Sequence, residues 1–367
     1  MKLNRINVIF QKFDWLLLIT ICLLTILGLV IIYSVATGSG TDQSLINFKK
    51  QVAFFILGIF LLFFAAIFFD YRILIKYNFL IYGLGVVLLL AVLIFGRTIR
   101  GTTGWFNLGI FAFQPVEFVK IFMIIYLSKY LSDKAKYISQ FKYLVLSSLG
   151  VILVMVLIAL QPDFGSALII FCLWLVLILL TGIKKSHLLI LIGLFLISSV
   201  VLWFFVFQGY QKERIKVFID PSLDPLGRGY NVSQAIIAVG SGQLWGKGLA
   251  FGSQSQLKFL PESQTDFIFA VLAEELGLAG VILFLGLLAF LFLRLIKIAK
   301  NCRDNFAMYI IVSIISLFFI QTIVNVGGNL GILPLTGITL PFMSYGGSSL
   351  IANLLLIGLA ESIVVRQ

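Results

Sequence analysis

The chain has 367 residues, 61% of them hydrophobic and only 11% charged, with a mean hydropathy of +1.12 and a formal net charge of +12. That composition excludes a soluble domain and fits an integral membrane protein with room for about ten spans of roughly 20 residues. The excess positive charge belongs to loops, and three scattered cysteines with a lone His187 offer neither a disulfide framework nor a histidine-rich metal site, and argue against histidine acid–base chemistry.

The opening MKLNRINVIFQKFD carries Lys2, Arg5 and Lys12 ahead of a run with no charge until Asp42. The run is too long for a signal peptide and lacks a clear small-residue cleavage site, so it reads as a retained first span. Further apolar segments recur near 51–69, 77–95, 115–131, 144–160, 166–181, 188–207, 266–293, 306–326 and 346–365, which makes ten in all. With the N-terminus inside, the inner segments hold sixteen Lys and Arg and the short outer loops only Lys49, Lys50, Arg97 and Arg100. The expected fold is therefore all-α, with ten transmembrane helices, both termini cytoplasmic, and one large extracytoplasmic loop, about 208–265, between helices 7 and 8. Residues 1–367 form a single polytopic domain, with no repeat at a fixed period and no low-complexity tract.

Unusual sequence gathers on the outer side. GRTIRGTTGWFNLGIFAFQ (96–114), QPDFG (161–165), the long loop and GGNLGILPLTGITLPFMSYGG (about 327–345 and beyond) are punctuated by Gly and Pro, whereas the inner loops are short, basic and plain. Asp266, in FLPESQTDFIFAVLAEELG (259–277), stands where the long loop gives way to an apolar helix. A carboxylate at such a lip is either a helix cap or a functional group. In QPVEFVK (114–120), Glu117 and Lys120 are three apart and share a helix face, as a self-neutralising ion pair or as the polar wall of a substrate cavity. Asp163 marks a tight outer turn of a kind that is often only a cap. The long loop carries Lys212, Arg214, Lys216, Arg228, Lys247 and Lys258 against Glu213, Asp220, Asp224 and Glu262, a balance of +2 that suits lipid headgroups or a pyrophosphate. Its GSGQLWGKG (240–248) resembles a phosphate loop but lacks the first required glycine and the Ser/Thr, and it lies outside, so no nucleotide is expected. In PFMSYGGSS (341–349) small residues permit close helix packing.

A prominent carboxylate, an intramembrane Glu–Lys pair and several arginines, with no nucleophilic Cys or catalytic His, suit a general base acting on a sugar hydroxyl while cations steady a departing phosphate. A polar intramembrane pair also suits a translocation path, so a flippase for lipid-linked cell-wall precursors is the alternative.

These segments, together with DPLGRGYNVSQAIIAVGSGQLWGKGL, resemble the SEDS family of bacterial shape, elongation, division and sporulation glycosyltransferases, and the wording GYN, GKG and GSQSQLKFLPE is closer to its RodA-like elongation branch. The resemblance implies a peptidoglycan polymerase in the bacterial cytoplasmic membrane that joins lipid II units at the outer leaflet, with inversion and release of undecaprenyl pyrophosphate. By motif position it makes Asp266 the catalytic residue and Glu117 and Lys120 the cavity's polar pair. Arg100, Asp163, Arg214, Lys258 and Glu262 are further candidates for substrate contact, with a divalent cation, Mg or Mn, as a further means of offsetting pyrophosphate charge. Its implied partners are a class B penicillin-binding protein that supplies transpeptidation, other elongation-complex membrane proteins and undecaprenyl lipids, with no nucleic acid. Two departures stand out. Gln264 replaces the family's usual His before Thr–Asp, and Gly104 replaces a basic residue before Trp105, which would shift any headgroup contact there to Arg97 or Arg100.

Overall fold

In a computed structural model, which describes residues 11–38, 42–99, 101–107, 109, 112–138, 140–201, 204, 209–220, 223–224, 227–257 and 259–367, the apolar segments fold as helices. Without water to receive their backbone polar groups, apolar runs of this length close their hydrogen bonds internally. The helices are α1 (Trp15–Gly38), α2 (Asp42–Phe68), α3 (Ile73–Phe95), α4 (Pro115–Lys134), α5 (Phe141–Ala159), α6 (Phe164–Leu180), α7 (Lys185–Val201), α8 (Gly209–Ile219), α9 (Arg228–Ser241), α10 (Ser253–Gln256), α11 (Ile268–Asn301), α12 (Asn305–Asn329) and α13 (Gly347–Arg366).

Seven of these, α1, α2, α3, α5, α11, α12 and α13, are long and apolar enough to cross a membrane. Of the other segments expected to span, α4 has the length but carries Glu117, Lys120, Lys129, Asp133 and Lys134, and α6 and α7 have 17 residues each. The interior is built around α12 and α13, whose apolar windows are 61% and 83% buried, against 22% for α2 and α3. The outward faces of α2 and α3 show why: Phe60, Phe64, Phe68, Phe79, Leu80 and Phe95 are all more than half exposed. Such a belt is tolerable only against lipid. Close approach inside the bundle relies on small residues. A Cβ on Gly28 of α1 would meet the Met343 backbone at 2.6 Å, and one on Gly347 would meet the Phe54 ring at 2.4 Å.

Two expectations are corrected here. The segment 96–114 is not a plain loop in a wholly helical chain. It contains three antiparallel strands, β1 (Arg97–Ile99), β2 (Thr102–Asn107) and β3 (Ala112–Phe113), in that order. Arg97 pairs with Trp105 and Phe106 with Phe113. Thr, Ile, Trp and Phe favour extended backbone, and Gly101 and Gly109 turn with positive φ. The long segment 208–265, expected as one large loop, contains the short helices α8, α9 and α10 among its described residues.

The strongest departure from regular helix lies inside α11. At Gly277 (φ 63°, ψ −161°) the helix breaks. The segment 243–248 fills the break: the amides of Lys247 and Gly248 donate to the carbonyls of Glu274 and Glu275, and those of Leu278 and Ala279 donate to Gln243 and Leu244. Glu274, fully buried, accepts from Lys247 Nζ at 3.0 Å and from the amides of Gln254 (2.9 Å) and Ser255 (3.1 Å). Glu275 accepts from Ser34 Oγ and from Gln256 Nε2. The GSGQLWGKG stretch is thus a backbone plug for a broken helix, which accounts for its glycines without a phosphate.

Candidate active site

A short turn, 261–267, carries Asp266 into the half-helix that ends at Gly277. Asp266 does not cap that helix: the capping position is Phe267, with no side-chain capping bond. Its main chain is stitched to α12 instead. The Asp266 carbonyl accepts from Asn329 Nδ2 (2.8 Å) and Asn325 Nδ2 (3.2 Å), and Asn329 Oδ1 accepts from the Ala270 amide. From the other side, Ser344 Oγ donates to the Thr265 carbonyl at 2.7 Å, and the Tyr345 amide donates to the Gln264 carbonyl at 2.8 Å. The main chain around the carboxylate is thus fixed on both sides, and the half-buried Asp266 lines a cavity.

That cavity, of about 530 Å³, is lined by Asn47 and Lys50 of α2, by Ile99, Thr102, Trp105 and Ala112 of the strands, by Gln114, by the turn Pro162–Gly165, by Glu262, Thr265 and Asp266, and by 335–337, 339 and 345–349. Every outer segment singled out by sequence therefore contributes to one space. The QPDFG turn reaches it by close packing. A Cβ on Gly165 would meet the Thr336 carbonyl at 2.7 Å, while the neighbouring Gly337, with φ of 74°, leaves 3.8 Å to Asp266 Oδ2.

Asp163 lines the cavity and caps α6, accepting from the Ser166 amide (3.0 Å) and Ser166 Oγ (2.8 Å). The helix-cap reading of this residue is thus compatible with a place at the cavity wall. Burial pushes its pKa up; the Ser166 bonds and the Lys120 charge pull it down, and the Glu117 charge raises it. Glu117 and Lys120 form an ion pair at 2.7 Å, 6% and 2% exposed. They lie beneath the cavity near Asp163 rather than among the residues lining it, and Glu117 Oε2 has no hydrogen-bond partner among the described residues. Glu262 is exposed at the rim, accepts from Thr265 Oγ1 at 3.2 Å and adopts a positive φ of 54°.

Three other candidates are not placed. Arg100 and Lys258 lie outside the described residues, and although Arg214 lies on α8 its side chain is not described. Gln264 is spent on structure, donating to the Ile32 carbonyl and accepting from Asn47 Nδ2, so it does not stand in for a proton-transferring histidine. Of the two cations named as replacements beside Trp105, Arg97 is exposed on β1 and does not line the cavity. Among the described residues no group of three or more His, Cys, Asp or Glu could hold a metal, so the site offers no preformed cage for Mg or Mn.

Sequence reasoning missed the parts that hold the site. Lys50 is the described cation that lines the cavity. Asn325 and Asn329, four apart in the apolar TIVNVGGN, carried a readable signal, since amides on one face of a membrane helix need partners. Ser344 and Ser348, whose Oγ accepts from the Gln114 amide, gave none beyond their small size.

Comparisons with known proteins agree with this architecture. The family model described as "Cell cycle protein", covering FtsW, RodA and SpoVE, matches residues 14–367. The chain is similar to the peptidoglycan glycosyltransferase MrdB of Escherichia coli K12, 38% identical over 77% of this chain and 76% of that one. It is also similar to the stage V sporulation protein E of Bacillus subtilis, 39% identical over 94% of each. Among solved structures, one chain of a peptidoglycan synthase complex that coordinates polymerization and crosslinking superposes with a TM-score of 0.80 at 31% identity, over 96% of this chain and 97% of that one. The rod shape determining protein RodA of Thermus thermophilus gives 0.70 at 30% identity, over 96% of each. With nearly its whole length matched in this way, the chain belongs to the FtsW, RodA and SpoVE family.

Proposed function

We propose that the chain is a peptidoglycan glycosyltransferase that polymerises lipid II at the outer leaflet of the bacterial cytoplasmic membrane. The observation that carries this is the convergence of Asp266, Asp163, Lys50 and Trp105 on one cavity, at the end of the bundle where the sequence bearing Asp266 leaves the membrane. In this reading ten helices span, with α4, α6 and α7 added to the seven that qualify on length and composition, and both termini are cytoplasmic.

Asp266 takes the proton of the acceptor 4-hydroxyl as its oxygen attacks the donor anomeric carbon. The new O4–C1 bond forms with inversion as the C1–O bond to undecaprenyl pyrophosphate breaks, and the proton rests on Asp266. A half-buried carboxylate fixed by its backbone is suited to such work because it need not reorganise during the step. Lys50 at the wall supplies positive charge to the pyrophosphate, and Arg100, Arg214 and Lys258 remain proposed contributors from the same side. Glu117 and Lys120 set the field beneath Asp163. A divalent cation, Mg or Mn, would have to arrive bound to the pyrophosphate, and no step above is routed through it.

The matched synthase complex supports a class B penicillin-binding protein as partner for crosslinking, with other elongation-complex membrane proteins alongside. The test separates an enzyme from a flippase: purified chain with its partner is given labelled lipid II, and glycan chains are resolved on a gel beside a leaflet-translocation assay. Chain growth that Asp266→Asn abolishes supports the proposal; lipid movement without new glycosidic bonds refutes it.

A further inference from the structure

At the end of the bundle opposite Asp266 lies a second cavity, of about 560 Å³, that the reaction does not use. Its walls come from the start of α1, the end of α11 and the end of α13. Four cations from three segments converge on it: Lys12 just before α1, Arg294 and Lys297 of α11, and Arg303 of the α11–α12 turn. Among the described residues the lining holds one acidic side chain, Asp14, which is paired with Arg294 and also accepts from the Leu17 amide, together with the last residue, Gln367. Two further acids lie beside it, and Glu361 leaves its Oε1 without a hydrogen-bond partner among the described residues. Asp304 accepts from Tyr71 Oη (2.6 Å) and the Ala307 amide, and buried Glu361 accepts from the Asp14 amide. Lys12, Lys297 and Arg303 have no carboxylate partner among the described residues.

The ends of α11 and α13 attract cations through their dipoles, and that accounts for basic residues spread along each last turn. It does not account for their gathering around a concavity with Lys12, just before α1, and Arg303 of the α11–α12 turn. Like charges gathered around one open hollow are screened by water yet still make it a favourable place for an anion. We propose that this cavity binds a phosphate oxyanion, and that the anion is the headgroup of an acidic phospholipid of the inner leaflet. Two sources carry such a group at this face, a lipid and inorganic phosphate. The apolar rim favours the lipid. Trp15 and Leu16 are 44% and 50% exposed and half-buried Val364 lines the same hollow, which gives acyl chains a surface beside the charge. The placement at the inner leaflet rests on the orientation proposed above, whereas the binding itself does not depend on the reaction.

The experiment is native mass spectrometry of the purified full chain in detergent, titrated with phosphatidylglycerol, with phosphatidylcholine and with inorganic phosphate. The expected result is retention of phosphatidylglycerol that neither millimolar inorganic phosphate nor phosphatidylcholine displaces. Lys297→Gln with Arg303→Gln should weaken it roughly tenfold or more with an unchanged unfolding temperature. A control pair, Lys184→Gln with Lys185→Gln, removes the same charge from the same membrane face away from the cavity and should leave binding as it was. Equal loss in both pairs would reduce the effect to bulk charge and overturn the site. Displacement by inorganic phosphate would overturn the lipid assignment, and no retention of phosphatidylglycerol would overturn both.

Discussion

Two buried acidic clusters in this bundle look alike in sequence and behave differently in structure. Around Glu274 the acceptors are used: Lys247 of the segment that plugs the broken helix, and Ser253 with two backbone amides of the 253–256 turn, converge on one carboxylate. Around Glu117 the use is incomplete. Lys120 satisfies one oxygen, the other has no partner among the described residues, and Asp163, itself held by Ser166, lies close enough to feel both charges. A saturated network fixes a chain segment, whereas an unsaturated one beside a cavity keeps capacity for something that arrives. The first cluster is architecture for the second region: Glu274 anchors both the half-helix and the 253–256 turn, and Asp266 sits in the stretch between them.

The sharpest way to break that contrast is Glu274→Ala. It strands Lys247 and two buried amides and should cost about 3 kcal/mol or more, read as a fall in unfolding temperature of the solubilised chain. Thermal unfolding at the wild-type temperature would show that the plug carries no load. Next comes Lys120→Met, which leaves Glu117 as a lone buried carboxylate and should cost about 3 kcal/mol. Adding Glu117→Gln should restore most of that stability without restoring chain growth; a double variant that polymerises normally would reduce the pair to packing.

How much of this was legible beforehand differs by region. The apolar runs and the charge asymmetry follow from composition and spacing, because lipid imposes one rule on every span, and they are what suggested an outward place for Asp266. Glu117 and Lys120 were readable as a pair from their i, i+3 spacing. The break at Gly277 was not. Its glycine sits in an apolar pattern that continues on both sides, and only the distant segment 243–248 reveals why the helix stops. Nor was the role of Gln264, whose partners Ile32 and Asn47 lie more than 200 residues away. The small sheet was hidden for a related reason, since Gly-rich loop sequence and short strands share the same residues.

Two smaller effects refine the comparison. Asp163 has a folded-state pKa above its ordinary 3.8, with burial the main cause. The folded chain therefore binds more protons than the unfolded one from about pH 4 up to the raised value. Its contribution to stability is full below that window and is lost as pH rises through it. Asp163→Asn should flatten this part of a stability-against-pH curve, and an unchanged slope would argue that the carboxyl titrates normally. Glu262→Gln should matter least, within about 0.5 kcal/mol, because the side chain is exposed and Thr265 Oγ1 keeps its bond to the Glu262 carbonyl. Thermal unfolding of that variant checks it.

The account stands on Asp266 as the base, and single-turnover kinetics test that most directly. Lipid II binding and formation of the first glycosidic bond are measured in parallel for the native chain and for Asp266→Asn, each with its partner. The account predicts equal binding and a loss of bond formation of at least about 100-fold. Bond formation at the native rate by Asp266→Asn would contradict it.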